Sequence, residues 1–235
     1  MAPSQSRNRN RLLAALPRDD YAVLAPMLEP VGLDTQTVLI EAHRPISHVY
    51  FPESGIASTI ASTAEGRIEI GVVGREGMVG LPAALGTDRT PHTYMVQGKG
   101  TALRLQTEEL REAIRARPST FRPLGLYAQA LIVQIGQTAY ANAGFNVEAR
   151  LARWILMTQD RIEGDELLLT HEFLSAMLGV RRPGVTTATH ILEGIGAIRA
   201  KRGRIIVRDR EKLLDLADDS YRIAEDEYDR LMAEV

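Results

Sequence analysis

The sequence predicts an α+β protein in which a strand-rich N-terminal half is followed by a helical C-terminal half. Short apolar runs separated by glycine and proline continue to Leu105, and helical periodicity replaces them from Glu108 onward. A third observation is the segregation of charge near the C-terminus. The segment Arg199–Lys212 carries seven Lys or Arg against two acids, whereas Leu213–Val235 carries eight acids against two arginines.

Composition narrows the class of protein. A chain of 235 residues has room for two small domains, and 45% hydrophobic with 25% charged residues is typical of a soluble globular protein. No apolar run approaches the roughly 20 residues needed to cross a bilayer, and Met1–Arg11 lacks the apolar stretch of a secretory signal. We therefore expect a cytoplasmic protein with no membrane partner. The absence of cysteine excludes disulfides, thiolate metal sites and cysteine nucleophiles.

The N-terminal half is predicted to form a small barrel or β roll, because it contains many short strands with glycine or proline turns. The predicted strands are Thr37–Glu41, His48–Phe51, Ile56–Ser62, Arg67–Val73 and Thr101–Leu105. The predicted turns are Pro52–Gly55, Glu65–Gly66, Gly74–Gly77 and Gly98–Gly100. A short helix is expected before them, around Pro17–Leu28.

A helix with Thr107 as its N-cap is predicted next, followed by a longer helix after Pro118 and Pro123. In the longer helix, residues repeat at spacings of four and three, as in a dimeric coiled coil. The predicted dimer seam consists of Leu124, Ala128, Leu131, Ile135, Thr138 and Asn142. The alternative is a single amphipathic helix packed on its own domain. A hinge is expected at Asn142–Asn146, followed by a helix over Val147–Arg161.

The most informative segment is Leu169–Val207. Thr170 can cap a helix that ends at Gly179, and a second helix begins near Arg182. Two short strands joined by a basic turn follow the second helix. Helix, tight turn, helix and basic hairpin are the plan of a winged helix-turn-helix, whose second helix enters the major groove of DNA. The alternative is a solvated basic hairpin on a helical domain.

This arrangement predicts two kinds of DNA contact. Arg182 is the candidate base reader, since a guanidinium can pair with O6 and N7 of guanine. The basic side chains of the hairpin would contact DNA phosphates, which adds binding affinity without sequence specificity. The full set of candidate DNA-binding residues is Arg181, Arg182, Thr186, Thr187, His190, Lys201, Arg202 and Arg204.

Gly179–Thr187, followed by Leu192-Glu193, resembles the recognition-helix signature of the Crp/Fnr superfamily of bacterial transcription regulators. Arg150-Leu151-Ala152 resembles that superfamily's approach to its DNA-binding domain, and the helix from Pro118 to Asn146 resembles its dimerisation helix. The strand region matches more loosely. The resemblance is carried there by Val38-Leu39-Ile40, Tyr50, Gly55 and Glu65-Gly66.

The resemblance implies a cyclic-nucleotide-binding-like β roll of the cupin type, a long dimerisation helix and a C-terminal winged helix-turn-helix. The expected domains are 16–116 for the roll, 117–145 for the dimer helix and hinge, 146–212 for the DNA-binding domain and 213–235 for an acidic helical tail. It also implies a homodimer that binds double-stranded DNA at a roughly palindromic site and contacts RNA polymerase. The tail is expected to pack on the DNA-binding domain, to contact the partner subunit, or to stay solvated.

Two departures from the superfamily pattern concern specificity. Pro183 stands where the superfamily has a Glu that pairs with cytosine, so a different DNA target is expected. The usual cyclic-AMP residues are missing, because Leu81 replaces the ribose-binding Glu and Ile135-Gly136 replaces the adenine-contacting Thr-Ser. The candidate effector pocket, for a ligand other than cyclic AMP, consists of Gly80, Leu81, Arg89, His92 and Ile135.

Other functions have weaker support in the sequence. His43 and His48 stand near a predicted strand, but a metal site needs ligands that converge from neighbouring strands, so no metal and no cofactor are predicted. His171-Glu172 lacks the second histidine of a zinc protease, and no nucleophile elbow or phosphate-binding loop is present. We expect no enzyme. The alternatives are a cupin-like small-molecule-binding protein or metal enzyme with a helical appendage, and a ligand-sensing scaffold with a vestigial DNA domain.

Overall fold

The structure is a computed structural model that describes residues 5–63 and 66–235. The helices are α1 Arg11–Ala15, α2 Arg18–Leu24, α3 Leu81–Ala84, α4 Thr107–Ala116, α5 Phe121–Gly144, α6 Val147–Gln159, α7 His171–Leu178, α8 Arg182–Gly194, α9 Arg210–Ala217 and α10 Ile223–Met232. The strands are β1 Glu29–Leu33, β2 Val38–Ile40, β3 His48–Thr63, β4 Gly66–Val73, β5 Thr93–Gln106, β6 Glu166–Leu167, β7 Ile198–Lys201 and β8 Arg204–Val207. This architecture confirms the predicted α+β class.

The roll is an antiparallel sheet in the order β1-β5-β3-β4, with β2 also pairing with β5. Two predicted turns are wrong. Pro52–Gly55 and Gly98–Gly100 are irregular corners inside β3 and β5, which bend together there. Gly55 has φ +79°, and a Cβ at Gly100 would lie 2.2 Å from the Ser54 carbonyl oxygen, so only glycine fits this corner. Of the predicted Glu65–Gly66 turn, Glu65 lies outside the described residues and Gly66 begins β4.

The core of the roll includes helices that precede and follow the strands in sequence. Leu12 and Leu13 of α1 are fully buried beside Phe51 and Leu105 of the strands. The core therefore begins before residue 16, where the roll was expected to start. Thr107 is also not the N-cap of α4. That position belongs to Gln106, which forms a capping box with Glu109, and the Thr107 hydroxyl donates to the Ile46 carbonyl at 2.6 Å.

The C-terminal module packs helices α6 to α9 around a second apolar core, covered on one side by the small sheet β6-β8-β7. Leu151 and Ile155 of α6, Leu174 of α7, and Val185 and Leu192 of α8 are all fully buried in it. Asn146 caps α6, because its side chain accepts from the Ala149 N–H at 2.9 Å. These contacts hold α8 rigidly by one face and leave the other face free.

The acidic tail is not a solvated helix. Helix α10 packs along α5, and its Tyr228 and Leu231 belong to the buried core of the roll. The Tyr228 hydroxyl donates to the Glu76 carbonyl oxygen at 2.8 Å. The first part of the tail packs on the DNA-binding domain, which was one of the three expected positions, because Leu213, Ala217 and Tyr221 belong to the core of the C-terminal module. Helix α10 then returns to the roll of the same chain, which was not among them.

Candidate nucleic-acid interface

The turn between α7 and α8 has the geometry expected of a helix-turn-helix. The Thr170 side chain accepts from the Phe173 N–H at 3.1 Å and caps α7, which confirms the predicted cap. Gly179 ends α7 with φ +62°, a left-handed conformation that favours glycine. A Cβ at Gly179 would touch Ile68 of the roll at 3.4 Å, so the turn also lies directly on β4.

The N-terminal turn of α8 faces solvent. Arg181 is the N-cap residue, Arg182 is the first helical residue, and both are exposed, with 62% of the Arg182 side chain accessible. Thr187 and His190 are exposed further along the same helix. A helix N-terminus carries partial positive charge, and two arginines add to it. The arrangement is suited to meeting phosphates and base edges in a groove.

Arg182 forms an exposed ion pair that the sequence did not predict. Its Nη2 lies 2.7 Å from Oε2 of Glu172 on α7. Beside this pair, the Thr186 hydroxyl donates to the Arg182 carbonyl oxygen at 3.1 Å and lies 3.2 Å from Nδ1 of His171. From the sequence, His171-Glu172 was only an incomplete zinc-protease motif, since no local pattern links Glu172 to a residue ten positions later.

The hairpin β7-β8 carries the predicted basic wing. Gly203 turns the chain with φ +75°, and Lys201, Arg202 and Arg204 are exposed. Arg204 pairs with Glu166 of β6 at 2.8 Å, which ties the hairpin to the third strand of the small sheet. Because exposed ion pairs contribute little stability, phosphates can compete for these cations.

Two residues of the predicted dimer seam face the core of their own subunit rather than a partner. Leu124 and Leu131 are buried in the core of their own roll, so they cannot meet a partner, and Ala128 and Ile135 pack partly against that core. Thr138 is half-buried and only Asn142 is exposed. The free face of α5 is rotated by about one residue, roughly 100°. It carries Phe121, Gly125, Gln129, Ile132, Gly136, Ala139, Tyr140 and Ala143.

The residues of the predicted effector pocket do not enclose a cavity, since some are packed in the core of the roll and others lie at the surface. Leu81 is 4% exposed within the roll core, and a Cβ at Gly80 would already touch Val49 at 3.0 Å. Arg89 lies at the surface, paired with Asp88 at 3.0 Å. The structure contains cavities of about 270, 320 and 20 Å³ elsewhere. None of these three is lined by a residue of the predicted pocket, because apolar packing occupies the expected position.

A buried carboxylate joins the roll to the C-terminal module. Glu69 of β4 accepts from Trp154 Nε1 of α6 at 2.7 Å, from the Ser58 hydroxyl, and from Gln97 Nε2 at 3.3 Å. Burial raises the pKa of Glu69 from its usual 4.5 to about 7, although these donors and nearby Arg153 act in the opposite direction. From the sequence, Glu69 was predicted only to lie in a strand, since its partners come from distant segments.

Within residues 5–63 and 66–235, no group of three or more His, Asp or Glu side chains is arranged to hold a metal ion. Among the helices of the described residues, none combines the length and the apolar character that crossing a bilayer requires.

The two halves of the chain match two domain families. Residues 31–117 match the family described as the cyclic nucleotide-binding domain, and residues 149–216 match the Crp-like helix-turn-helix domain. Together these matches cover about two thirds of the chain. In sequence, no curated protein matches it.

Solved structures share most of this architecture. FixK2 from Bradyrhizobium japonicum has a TM-score of 0.69 at 15% identity, over 81% of this chain and 98% of that chain. TTHA1359, a CRP/FNR-family transcriptional regulator from Thermus thermophilus, has a TM-score of 0.66 at 20% identity, over 82% and 100%. CLP, a c-di-GMP responsive global regulator from Xanthomonas campestris, has a TM-score of 0.66 at 16% identity, over 81% and 99%. At such identities the likeness establishes a common fold.

The chain combines a cyclic-nucleotide-binding-like roll, a long connecting helix and a winged helix-turn-helix whose second helix begins with exposed arginines. This combination defines a DNA-binding transcription regulator. The chain belongs to the Crp/Fnr superfamily, as the two domain matches and the shared architecture together show.

Proposed function

We propose that the chain acts as a homodimer on a roughly palindromic DNA site and is not an enzyme. The observation that carries this proposal is the exposed N-terminal turn of α8 beside the basic wing. In the proposal Arg182 reads a guanine, while Arg181, Thr186, Thr187 and His190 support it. The wing residues Lys201, Arg202 and Arg204 contact phosphates. Its action on transcription would take place in the cytoplasm and involve RNA polymerase.

The dimer is proposed to form along the free face of α5 rather than along the predicted seam. Ile132 and Tyr140 on this face are 64% and 51% exposed, which is costly for apolar side chains unless a partner covers them. Gly136 and Ala139 lie on the same face and permit close approach of a second helix, whereas the Phe121 ring covers Gly125. Asn142, at the margin of this face, remains a candidate contact.

Pairing α5 with its copy would place two α8 helices on one side of a symmetric assembly. Two-fold symmetry of the protein requires two-fold symmetry of its operator, with half-sites about 34 Å apart on one face of the duplex. A domain that senses an effector is part of the same proposal, although the residues first expected to form its pocket do not form one.

Selection of bound sequences from a random pool of duplex DNA tests the proposal. We expect an inverted repeat with half-sites about one helical turn apart and two chains per duplex by mass measurement. Weak binding without sequence preference would contradict the proposal and favour a vestigial DNA domain. Stoichiometric metal in the purified protein, with no DNA binding, would instead favour the cupin-like metal enzyme.

A further inference from the structure

The cavity of about 270 Å³ lies where helix α10 returns to the roll. Helix α10 itself follows the residues matched by the helix-turn-helix family. Its walls come from α10, from α5, from the loop after β4 and from the end of α6. An apolar cavity of about 150 Å³ already accommodates benzene, so this space can hold a molecule somewhat larger. The bonding state of its polar lining indicates what kind of molecule that is.

Most charges in the wall already have a partner of opposite sign. Glu76 accepts from Arg161 Nε at 2.7 Å, and Asp229 accepts from Arg11 at 2.8 Å. Asp160, also in the wall, accepts from Arg210 at 2.7 Å, outside the cavity lining. These three pairs neutralise themselves and leave little charge for a ligand.

Two charges of the wall remain after this pairing. Within the described part of the chain, the Arg75 guanidinium has no side-chain hydrogen bond or ion pair, and Glu225 has no cation within salt-bridge distance. Glu225 accepts only the backbone N–H of Arg222, at 3.1 Å through Oε2. An exposed cation without an ion pair and a half-buried carboxylate without a cation within salt-bridge distance therefore line the same space.

Two buried polar groups add hydrogen-bond donors. Tyr127 is 3% exposed, and its hydroxyl is buried with no hydrogen-bond partner among the described residues. An unsatisfied buried hydroxyl costs free energy unless a ligand or water meets it. Gln134 is 7% exposed, and its Oε1 accepts from the Val72 N–H at 2.8 Å, which leaves its Nε2 as the free donor.

We propose that this cavity binds a free amino acid. Its carboxylate would be held by Arg75, the Tyr127 hydroxyl and the Gln134 amide nitrogen, and its ammonium group by Glu225. An apolar side chain would pack on Ala130, Leu131 and Ala224, which complete the wall. A zwitterion matches one cation and one anion that each lack a partner within salt-bridge distance, whereas a simple carboxylate would leave Glu225 with only the longer-range attraction of Arg161 and Arg153.

The test is calorimetric titration of the full-length protein with each of the twenty proteinogenic L-amino acids, without DNA. We expect at least one apolar amino acid to bind with one site per chain. The corresponding acid without the amino group, and the amine without the carboxyl group, should each bind at least tenfold more weakly. If no amino acid binds at 10 mM, or if the deaminated acid binds equally well, the proposal is overturned.

Variants separate binding from folding. Arg75→Gln and Glu225→Gln should each weaken binding at least tenfold, whereas the exposed Arg18→Gln and Glu112→Gln, which do not line the cavity, should leave it unchanged. Tyr127→Phe removes an unpaired hydroxyl, so the ligand-free protein should be at least as stable while its affinity for the amino acid falls. If Tyr127→Phe and the wild type bound the amino acid with equal affinity, the hydroxyl would not be a contact of the ligand.

These measurements need no DNA, so their failure is distinguishable from failure of the proposed regulator role. Because the cavity joins α5 to the end of α6, a bound amino acid lies where the roll meets the C-terminal module. A control variant that lost amino-acid binding would also overturn the assignment, since it would show a general effect of charge.

Discussion

The C-terminal module exposes the charges proposed to contact DNA, whereas the junction between the β roll and α6 buries charges. In the module, Arg181, Arg182 and the wing cations are exposed. In the roll and its junction with α6, Glu69, Glu76 and Arg161 are buried and bonded across the two regions. Exposed charges are available to a large anionic partner such as DNA, whereas buried ones position domains or small molecules.

The largest expected effect concerns α5, the helix that connects the two regions. Ile132→Glu places a charge on the free face, so we expect loss of the dimer and a roughly 100-fold loss of affinity for a two-half-site duplex, because linked sites lose their avidity. Light scattering and gel-shift titration measure both. The control is Ile223→Glu, which changes an isoleucine that is 49% exposed on α10. If the Ile132→Glu protein remains dimeric, the free face of α5 is not the dimer interface.

The opposite face of the same helix should respond differently. Leu131→Ala removes a side chain that is 9% exposed in the roll core, so the free energy of unfolding should fall by about 2–5 kcal/mol. The dimer should persist at temperatures where the variant is folded. Urea unfolding with mass measurement checks this. If Leu131→Ala dissociated the dimer without lowering the free energy of unfolding, the dimer seam predicted from the sequence would be correct.

Base reading and phosphate contact should separate within the C-terminal module. Arg182→Ala should cost about 1–3 kcal/mol of binding and relax preference at one base pair. Arg202→Ala should weaken binding to all sequences alike and lower the salt slope by about one. Competition gel shifts with single-base operator variants at several salt concentrations measure both. Equal losses on specific and random DNA in Arg182→Ala would reassign that residue to phosphate.

A further expected effect is the pH dependence of stability caused by Glu69. Its pKa is raised to about 7 by burial, so between pH about 4.5 and 7 the folded protein holds a proton that the unfolded chain has lost. The free energy of unfolding should therefore fall as pH rises through this window and level off above it. Fluorescence of Trp154, the only tryptophan, should titrate in the same range. Glu69→Gln should abolish this titration, and a persisting midpoint would assign it to another group.

The C-terminal module was predictable because its signals are local. Thr170, Gly179 and Gly203 each adopt the cap or turn conformation that their own chemistry favours. The corners at Gly55 and Gly100 were not predictable in this way. Glycine and proline mark any change of direction, and only the pairing of β3 with β5 distinguishes a bent strand from a turn.

Helix α5 shows more clearly that a local sequence pattern does not determine a tertiary contact. A spacing of four and three identifies an apolar stripe but does not say whether the stripe faces a partner or the same chain. Leu124 and Leu131 satisfy the pattern and lie in their own core, while the exposed face also contains glycine and alanine, which carry no such signal. Glu172 and Glu69 had no local signal, because their partners lie ten or more residues away.

By itself, the sequence determined the order of the modules, the exposed arginine-led helix and the superfamily, because these depend on caps, turns and periodicity within short segments. The tertiary structure decided which face of α5 is free, where α10 lies and where a cavity remains. Those features depend on the volume left after distant segments pack together, and no spacing of residues along the chain records that volume.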